Sequence, residues 1–235
     1  MKKLILIALL ASGITQLEAQ KMEFWLDAGA KVQYGATMLY NSAIGDDPNY
    51  DYTITTSTKF GGKLGLNWNY TGISFDVMVG KHKGQFQNLT TAGLPNDEIS
   101  MQSVDLYLLF RNAKNKGYFE LGPKMGLIGD VRSGDAIIDP AQYESTSFAG
   151  VLGFGTYILG NDGAFSGILG LRFEYGFTDV VSDLGQTEGA RQPVNYTGEV
   201  ANTVPIFAGI VFEFNWGIGG VGQARCGEKS KFIWF

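Results

Sequence analysis

The feature that most constrains this chain is an alternation of apolar and polar side chains that recurs eight times after residue 20. Successive side chains of a strand point to opposite sides, so a period of two marks a strand with one apolar face. The eight segments cover about residues 22–34, 58–69, 72–83, 99–111, 117–130, 147–159, 165–178 and 203–216. In the first, Phe24, Leu26, Ala28, Ala30 and Val32 oppose Trp25, Asp27, Gly29, Lys31 and Gln33. In the last, Ile206, Ala208, Ile210, Phe212, Phe214 and Trp216 oppose Gly209, Glu213 and Asn215. Each segment has about ten residues or more, enough to cross hydrocarbon at a tilt. The connections alternate in length. Those at 69–72, 112–116 and 160–163 are short, while those at about 35–57, 84–98, 131–146 and 180–202 are long and polar. An even number of strands with short turns at one end and long loops at the other is the pattern of a bacterial outer-membrane barrel. The expected fold is therefore all-β: an eight-stranded antiparallel up-and-down transmembrane β-barrel over residues 20–216, with short periplasmic turns and long outer loops.

Residues 1–19 read as a secretory signal peptide. Lys2 and Lys3 precede a short apolar run, Leu4 to Ala11, and Leu17-Glu18-Ala19 supplies a small residue before cleavage. That run is too short to span a bilayer, and no Cys follows it to carry a lipid anchor. No later stretch reaches the roughly 18 apolar residues of a membrane helix. A closed barrel is then the remaining way to span a membrane, because hydrocarbon leaves no backbone group unpaired at acceptable cost. The expected location is the cell outer membrane. Charged residues make up 17% of the chain, below the roughly one quarter of soluble domains. A net charge of −5 without a basic stripe excludes a nucleic-acid binder. The single cysteine, Cys226, excludes an internal disulfide.

Period two does not itself say which face points outward, and a soluble lipocalin-like barrel alternates in the same way. Three features favour the membrane arrangement. The polar faces carry six acids, Asp27, Asp76, Asp105, Glu120, Glu174 and Glu213, against six bases, Lys31, Lys59, Lys63, Arg111, Lys124 and Arg172. Such a balance suits a lumen that must neutralise itself, since burying one charge alone is costly. Glycine is dense on the same face, which suits a narrow interior. Aromatic residues sit near strand ends, at Phe24, Trp25, Tyr34, Trp68, Tyr70, Phe110, Tyr118, Tyr175, Phe177 and Trp216, as in interfacial girdles.

On the signal peptide, the eight alternating segments and the last strand, the mature chain up to Trp216 resembles the small outer-membrane β-barrels of Bacteroidetes-type bacteria. These are the PorT-like group, and the chain also resembles the OmpA-type eight-stranded domain. Gly209, Phe212 and Phe214 are similar to the assembly signal that the barrel insertion machinery reads, although the polar residue that opens that signal falls at Phe207. The resemblance implies outer-membrane lipid and that machinery as partners. Residues 217–235 read as an extra tail, expected in the periplasm, with Phe232-Ile233-Trp234-Phe235 either docking on an envelope protein or free.

Chemistry is sparse. The only histidine, His82, has no serine at its strand end; Ser74 shares its face but lies about 26 Å along the strand. His82 is expected as a rim residue among charges, and no catalytic residue is assigned. Asp46-Asp47-Pro48-Asn49-Tyr50-Asp51 lacks the glycine placement and final Glu of an EF-hand and reads as a solvated loop. No metal site and no cofactor are expected. An eight-stranded barrel has an interior just wide enough for side chains to fill, so the lumen charges plug it. The reading is a non-enzymatic barrel with a structural or interaction role. The alternatives are an anchor subunit of a secretion- or gliding-type envelope complex, a small pore, or a lipid-modifying enzyme. One measurement separates the two barrels: the mature membrane barrel requires detergent to stay dispersed, whereas a soluble barrel remains in solution without it.

Overall fold

The computed structural model describes residues 24–46, 48–90, 96–114, 116–160, 165–188, 201–222 and 231–234. The signal segment, Asp47 and Cys226 fall outside them. The strands are β1 (Phe24–Asn41), β2 (Tyr50–Thr53), β3 (Thr55–Trp68), β4 (Thr71–Asn88), β5 (Asp97–Lys114), β6 (Gly117–Ser133), β7 (Ala136–Ile137), β8 (Thr146–Leu159), β9 (Phe165–Gly176), β10 (Thr203–Gly222) and β11 (Lys231–Trp234). Eight of them pair antiparallel in the order β1-β3-β4-β5-β6-β8-β9-β10, and β10 returns to β1, so the sheet closes. The eight alternating segments are these eight strands. At the turn end, Asn69 holds φ at 53° in the two-residue link between β3 and β4. Asparagine tolerates that left-handed conformation, which matches the twist of a hairpin.

The register sets the width of the ring. A cross-strand row that starts at Leu127 on β6 passes through Val104, Val79, Phe60, Val32, Phe212, Leu169 and Thr156. It returns to β6 at Gly117, ten residues nearer the turn end. Eight strands with this stagger enclose a space that side chains fill. Glycine makes room for them. The Cβ of any residue at position 153 would lie 2.7 Å from the Glu120 carboxylate, and at 209 it would lie 2.7 Å from the Phe207 ring.

Large apolar side chains cover the outside: Phe60 is 62% exposed, Leu64 60%, Trp216 51% and Leu108 53%, and such residues recur on all eight strands of the ring. Water does not sustain an apolar surface of that extent on a folded monomer, and lipid does. The aliphatic and aromatic face is therefore the outer one. Two of the aromatic positions expected in girdles differ. Tyr118 is buried inside the barrel, and Trp25 is half-buried on the Asp27 face. Both sit at positions whose strand parity points inward, so alternation outranks nearness to a strand end.

The links at the outer end are shorter than the sequence suggests. β1 continues to Asn41, β4 to Asn88 and β6 to Ser133, while β5 begins at Asp97. Beyond the membrane band inward positions turn apolar, and on β4 and β5 the outward ones turn polar, so the strands persist while the pattern reads as a polar link. Leu39, Ile44, Phe86, Ile99, Met101, Val131, Tyr143, Val180 and Val181 form a buried core there. Strand β2 adds to β4, and β7 folds back on β6. A short helix, α1 (Asp183–Glu188), hangs from Asp179, whose carboxylate accepts from the Val181 and Thr203 N–H groups and from the Gln186 amide. At the other end β10 runs through Gly222, six residues past the expected boundary at Trp216, and β11 pairs with its last residues, from Gly219↔Trp234 to Gly222↔Lys231.

Crowding of the lumen is testable. Gly153→Val drives a side chain into Glu120 and is expected to lower stability by about 1–3 kcal/mol, read as a shift in urea midpoint. Gly62→Ala, whose Cβ meets nothing nearer than 3.5 Å, should leave the midpoint unchanged.

Candidate functional site

The lumen is the densest concentration of chemistry in the chain. Alternation aims one residue in two inward, and the stagger brings residues far apart in sequence to one level. The structure places all twelve acids and bases named above inside: the most exposed of them, Asp27, retains 9% of its surface. Their ion pairs form two groups, eight residues nearer the turn end and Lys59, Lys124, Asp105 and Glu174 above them, with Tyr107 between Arg172 and Glu174.

Near the turn end, Lys63 lies 2.8 Å from Glu213 and 3.3 Å from Asp27. Asn67 donates to Asp27 at 2.8 Å, and Asn215 donates to Glu213 at 2.7 Å. Arg111 grips Glu213 with two N–H groups at 2.6 and 2.8 Å and reaches Glu120 at 2.7 Å. Above it, Lys31 bridges Asp76 and Glu213. Arg172 donates from Nε to Glu120 at 2.9 Å and lies 3.5 Å from Asp76. Higher still, Lys59 binds Asp105 at 2.6 Å and Glu174 at 3.1 Å, and Lys124 binds Glu174 at 2.8 Å. Taking one ion from water into a protein interior costs several kcal/mol even after relaxation, so each must find opposite charge and hydrogen bonds at close range. Here each carboxylate has at least one cation and each cation at least one carboxylate.

Neutral residues complete the packing, and sequence reasoning left them out of the network. Tyr107 donates to Glu174 at 2.8 Å, and its ring lies 5.1 Å below the Arg172 guanidinium. Arg111 stands 4.6 Å over Tyr118, and Lys59 lies 5.3 Å from the Phe207 ring. Cations over aromatic faces gain electrostatic attraction without a counter-ion. His82 is a correction. It is not at the rim but buried at 3% exposure, with its Nε2 3.3 Å from Asp105 and 3.3 Å from the Lys59 ammonium. The signal was present in its parity, since His82 lies six residues from Asp76 on one strand. Its nearness to the strand end pointed the other way.

The residues of the assembly signal lie in β10. Phe212 and Phe214 face outward, and Gly209 packs across from Gly35 on β1. Phe207, where the signal would open with a polar residue, points inward and is 1% exposed beside Lys59. Of the acidic segment 46–51, Asp46 ends a short 3-10 helix (Ser42–Asp46), Tyr50 and Asp51 open β2 where a loop was expected, and the Asp51 carboxylate accepts from the Tyr52 N–H.

The network is sealed at its outer end by the apolar core over Leu39, Phe86, Ile99 and Met101. At the turn end a cavity of about 60 Å³ reaches Asp27, Lys63 and Arg111. Neither Lys31, Asp76, Arg172 nor Lys59 lines it. The arrangement neutralises and fills the lumen.

No protein-family model and no curated protein matches the sequence. Among solved structures, the chain is similar to the outer membrane protein OprG from Pseudomonas aeruginosa, with 13% identity over 84% of this chain and 96% of that one and a TM-score of 0.37. It is also similar to the translocator domain of the autotransporter NalP from Neisseria meningitidis, with 10% identity over 92% and 94% of the two chains and a TM-score of 0.27. At this overlap neither structure bears on what this chain does. The fold stands on its own strands: a closed ring with an apolar outer band, the architecture of an outer-membrane barrel.

The network and a surface pair should respond differently. Arg172→Met strips Glu120 and Asp76 of a buried partner and is expected to cost roughly 3–5 kcal/mol. Lys83→Met breaks the partly exposed pair with Glu98 at 2.8 Å and should cost about 0–1 kcal/mol. Urea unfolding of both variants in detergent micelles gives the comparison.

Proposed function

We propose that the chain is an integral outer-membrane protein that works without catalysis, as a closed anchor presenting an ordered outer surface to an interaction partner. The observation that carries this reading is the lumen, filled by self-neutralising charge and capped by an apolar core. A passage for ions or solutes would have to break several buried pairs at once. The outer surface is the remaining place for function, because rigid strands hold loops and loops carry recognition. Here those loops are tied by β2, β7 and α1 over the apolar core, which gives a partner a fixed shape to read.

Three contacts follow from this reading. Membrane lipid surrounds the apolar band. The barrel insertion machinery reads the last strand at Gly209, Phe212 and Phe214. An envelope protein binds the outer surface or the turn end. The turn end supports a second reading, in which the barrel is a PorT-like anchor subunit of a secretion- or gliding-type complex. What favours it is the pairing of β11 with the overhang of β10, which builds a structured edge at the rim where the short turns lie.

The closed lumen predicts planar bilayers without channel steps at any applied voltage. Discrete steps would overturn the closed anchor and favour a small pore. Crosslinking in intact envelopes, followed by pull-down, tests the interaction role. A partner that is recovered with the full chain and lost on deletion of residues 223–235 supports the assembly anchor. Recovery unaffected by that deletion supports the outer surface, and no partner at native expression overturns the interaction role.

A further inference from the structure

The outer wall over β3 to β6 differs from the rest of the barrel. Along each of these strands the outward side chains change character at one step: from Phe60 to Thr58, from Val79 to Lys81, from Val104 to Gln102 and from Leu127 to Gly129. The four apolar residues are direct cross-strand neighbours and form one continuous row. Just above the row the wall parts. Pairing of β3 with β4 ends at Lys59↔Gly80, and β4 next pairs with β2 at Thr53↔Gln85. Between these points the Ser57 hydroxyl donates to the Lys81 carbonyl at 2.5 Å. The parted wall, floored by small residues, leaves an open groove of about 750 Å³ lined by the apolar row below and by Lys81 and Lys83 above.

Outward cations of the ring strands are confined to this side. The outward positions of β1, β8, β9 and β10 carry no Lys or Arg among the described residues. Lys83 is held by Glu98, whereas Lys81 is exposed and makes no ion pair with a described residue. An apolar shelf seeks hydrocarbon, and an ammonium about 7 Å further along the strand seeks an anion. A molecule that offers both at that spacing, on the lipid side of the wall, is a membrane lipid with a phosphorylated head.

We propose that this groove holds one lipid of the outward leaflet, with its phosphate on Lys81 and an acyl chain along Phe60, Val79, Val104 and Leu127. The proposal rests on the membrane reading above. Lys83 borders the same groove and adds charge when the phosphate draws it from Glu98. Such a site gives the barrel a fixed neighbour on one side and so a preferred face within the leaflet.

The test uses the full mature chain in a zwitterionic detergent, offered either diphosphorylated lipid A or an uncharged diacylglycerol, with bound lipid counted by native mass spectrometry. The expected result is one retained lipid A per chain and no retained diacylglycerol. Lys81→Gln should lower retention about fivefold, as loss of one cation near an anionic surface implies, and Lys81→Arg should restore it. Lys114→Gln with Lys116→Gln, at the turn end, should change nothing. Equal retention of the two lipids, or full retention by Lys81→Gln, overturns the proposal. So does complete displacement by inorganic phosphate, which would make the head group alone the ligand. Insertion of the same preparations into lipid vesicles, read by heat-dependent gel migration, keeps the two readings apart. A chain that inserts without retaining lipid sinks the groove alone, and one that fails to insert sinks the membrane reading.

Discussion

Mutual neutralisation of twelve buried charges is the constraint on which the rest of the barrel depends. Glu213 alone meets Lys31, Lys63 and Arg111, and its removal would leave each of the three with one carboxylate instead of two. The ring must be narrow enough for charges on opposite walls to touch, and the ten-residue stagger of eight strands supplies that width. Glycine at 153 lets the Glu120 side chain lie across β8 toward Arg172. Strand number, stagger, glycine placement and charge balance are thus four statements of one requirement.

The same strands serve two surroundings. In the lipid band β1 sends Lys31 and Gln33 inward and Val32 and Tyr34 outward. Eight residues along the same face from Lys31, it sends Leu39 inward, fully buried in the outer core. Strands β4 and β5 make the same exchange, from Asp76 to Phe86 and from Asp105 to Ile99. Along β4 and β5 alternation is unbroken and its sense inverts where hydrocarbon gives way to water, whereas β6 brings Val131 inward across a register shift. Above that line the barrel is an ordinary water-soluble β-fold with an apolar inside.

This inversion explains what is legible in the amino-acid order and what is not. The eight spanning strands are legible because one face is always apolar. The six acids and six bases are legible because parity places them together on the other face. The extended outer ends are hidden: Leu39, Phe86, Ile99 and Met101 carry the parity of the lumen with the composition of a core, so neither template fits across the junction. His82 is obscured for the same reason, lying where the charged lumen meets the apolar cap. Tyr107 and Tyr118 show their inward direction in sequence, but their service as platforms for Arg172 and Arg111 depends on contacts across the ring. The strand β2 and the pairing of β11 with β10 depend on partners distant along the chain, and local pattern is silent on them.

The closing seam between β1 and β10 brings Lys31 directly opposite Glu213. A slip of one residue in a sheet turns every side chain to the other face. At this seam such a slip would turn the Glu213 carboxylate toward hydrocarbon and leave Lys31, Lys63 and Arg111 without it. The joint that completes the cylinder is therefore keyed: its two edges fit in one alignment, and the tooth of the key is an ion pair that only the finished ring can shelter.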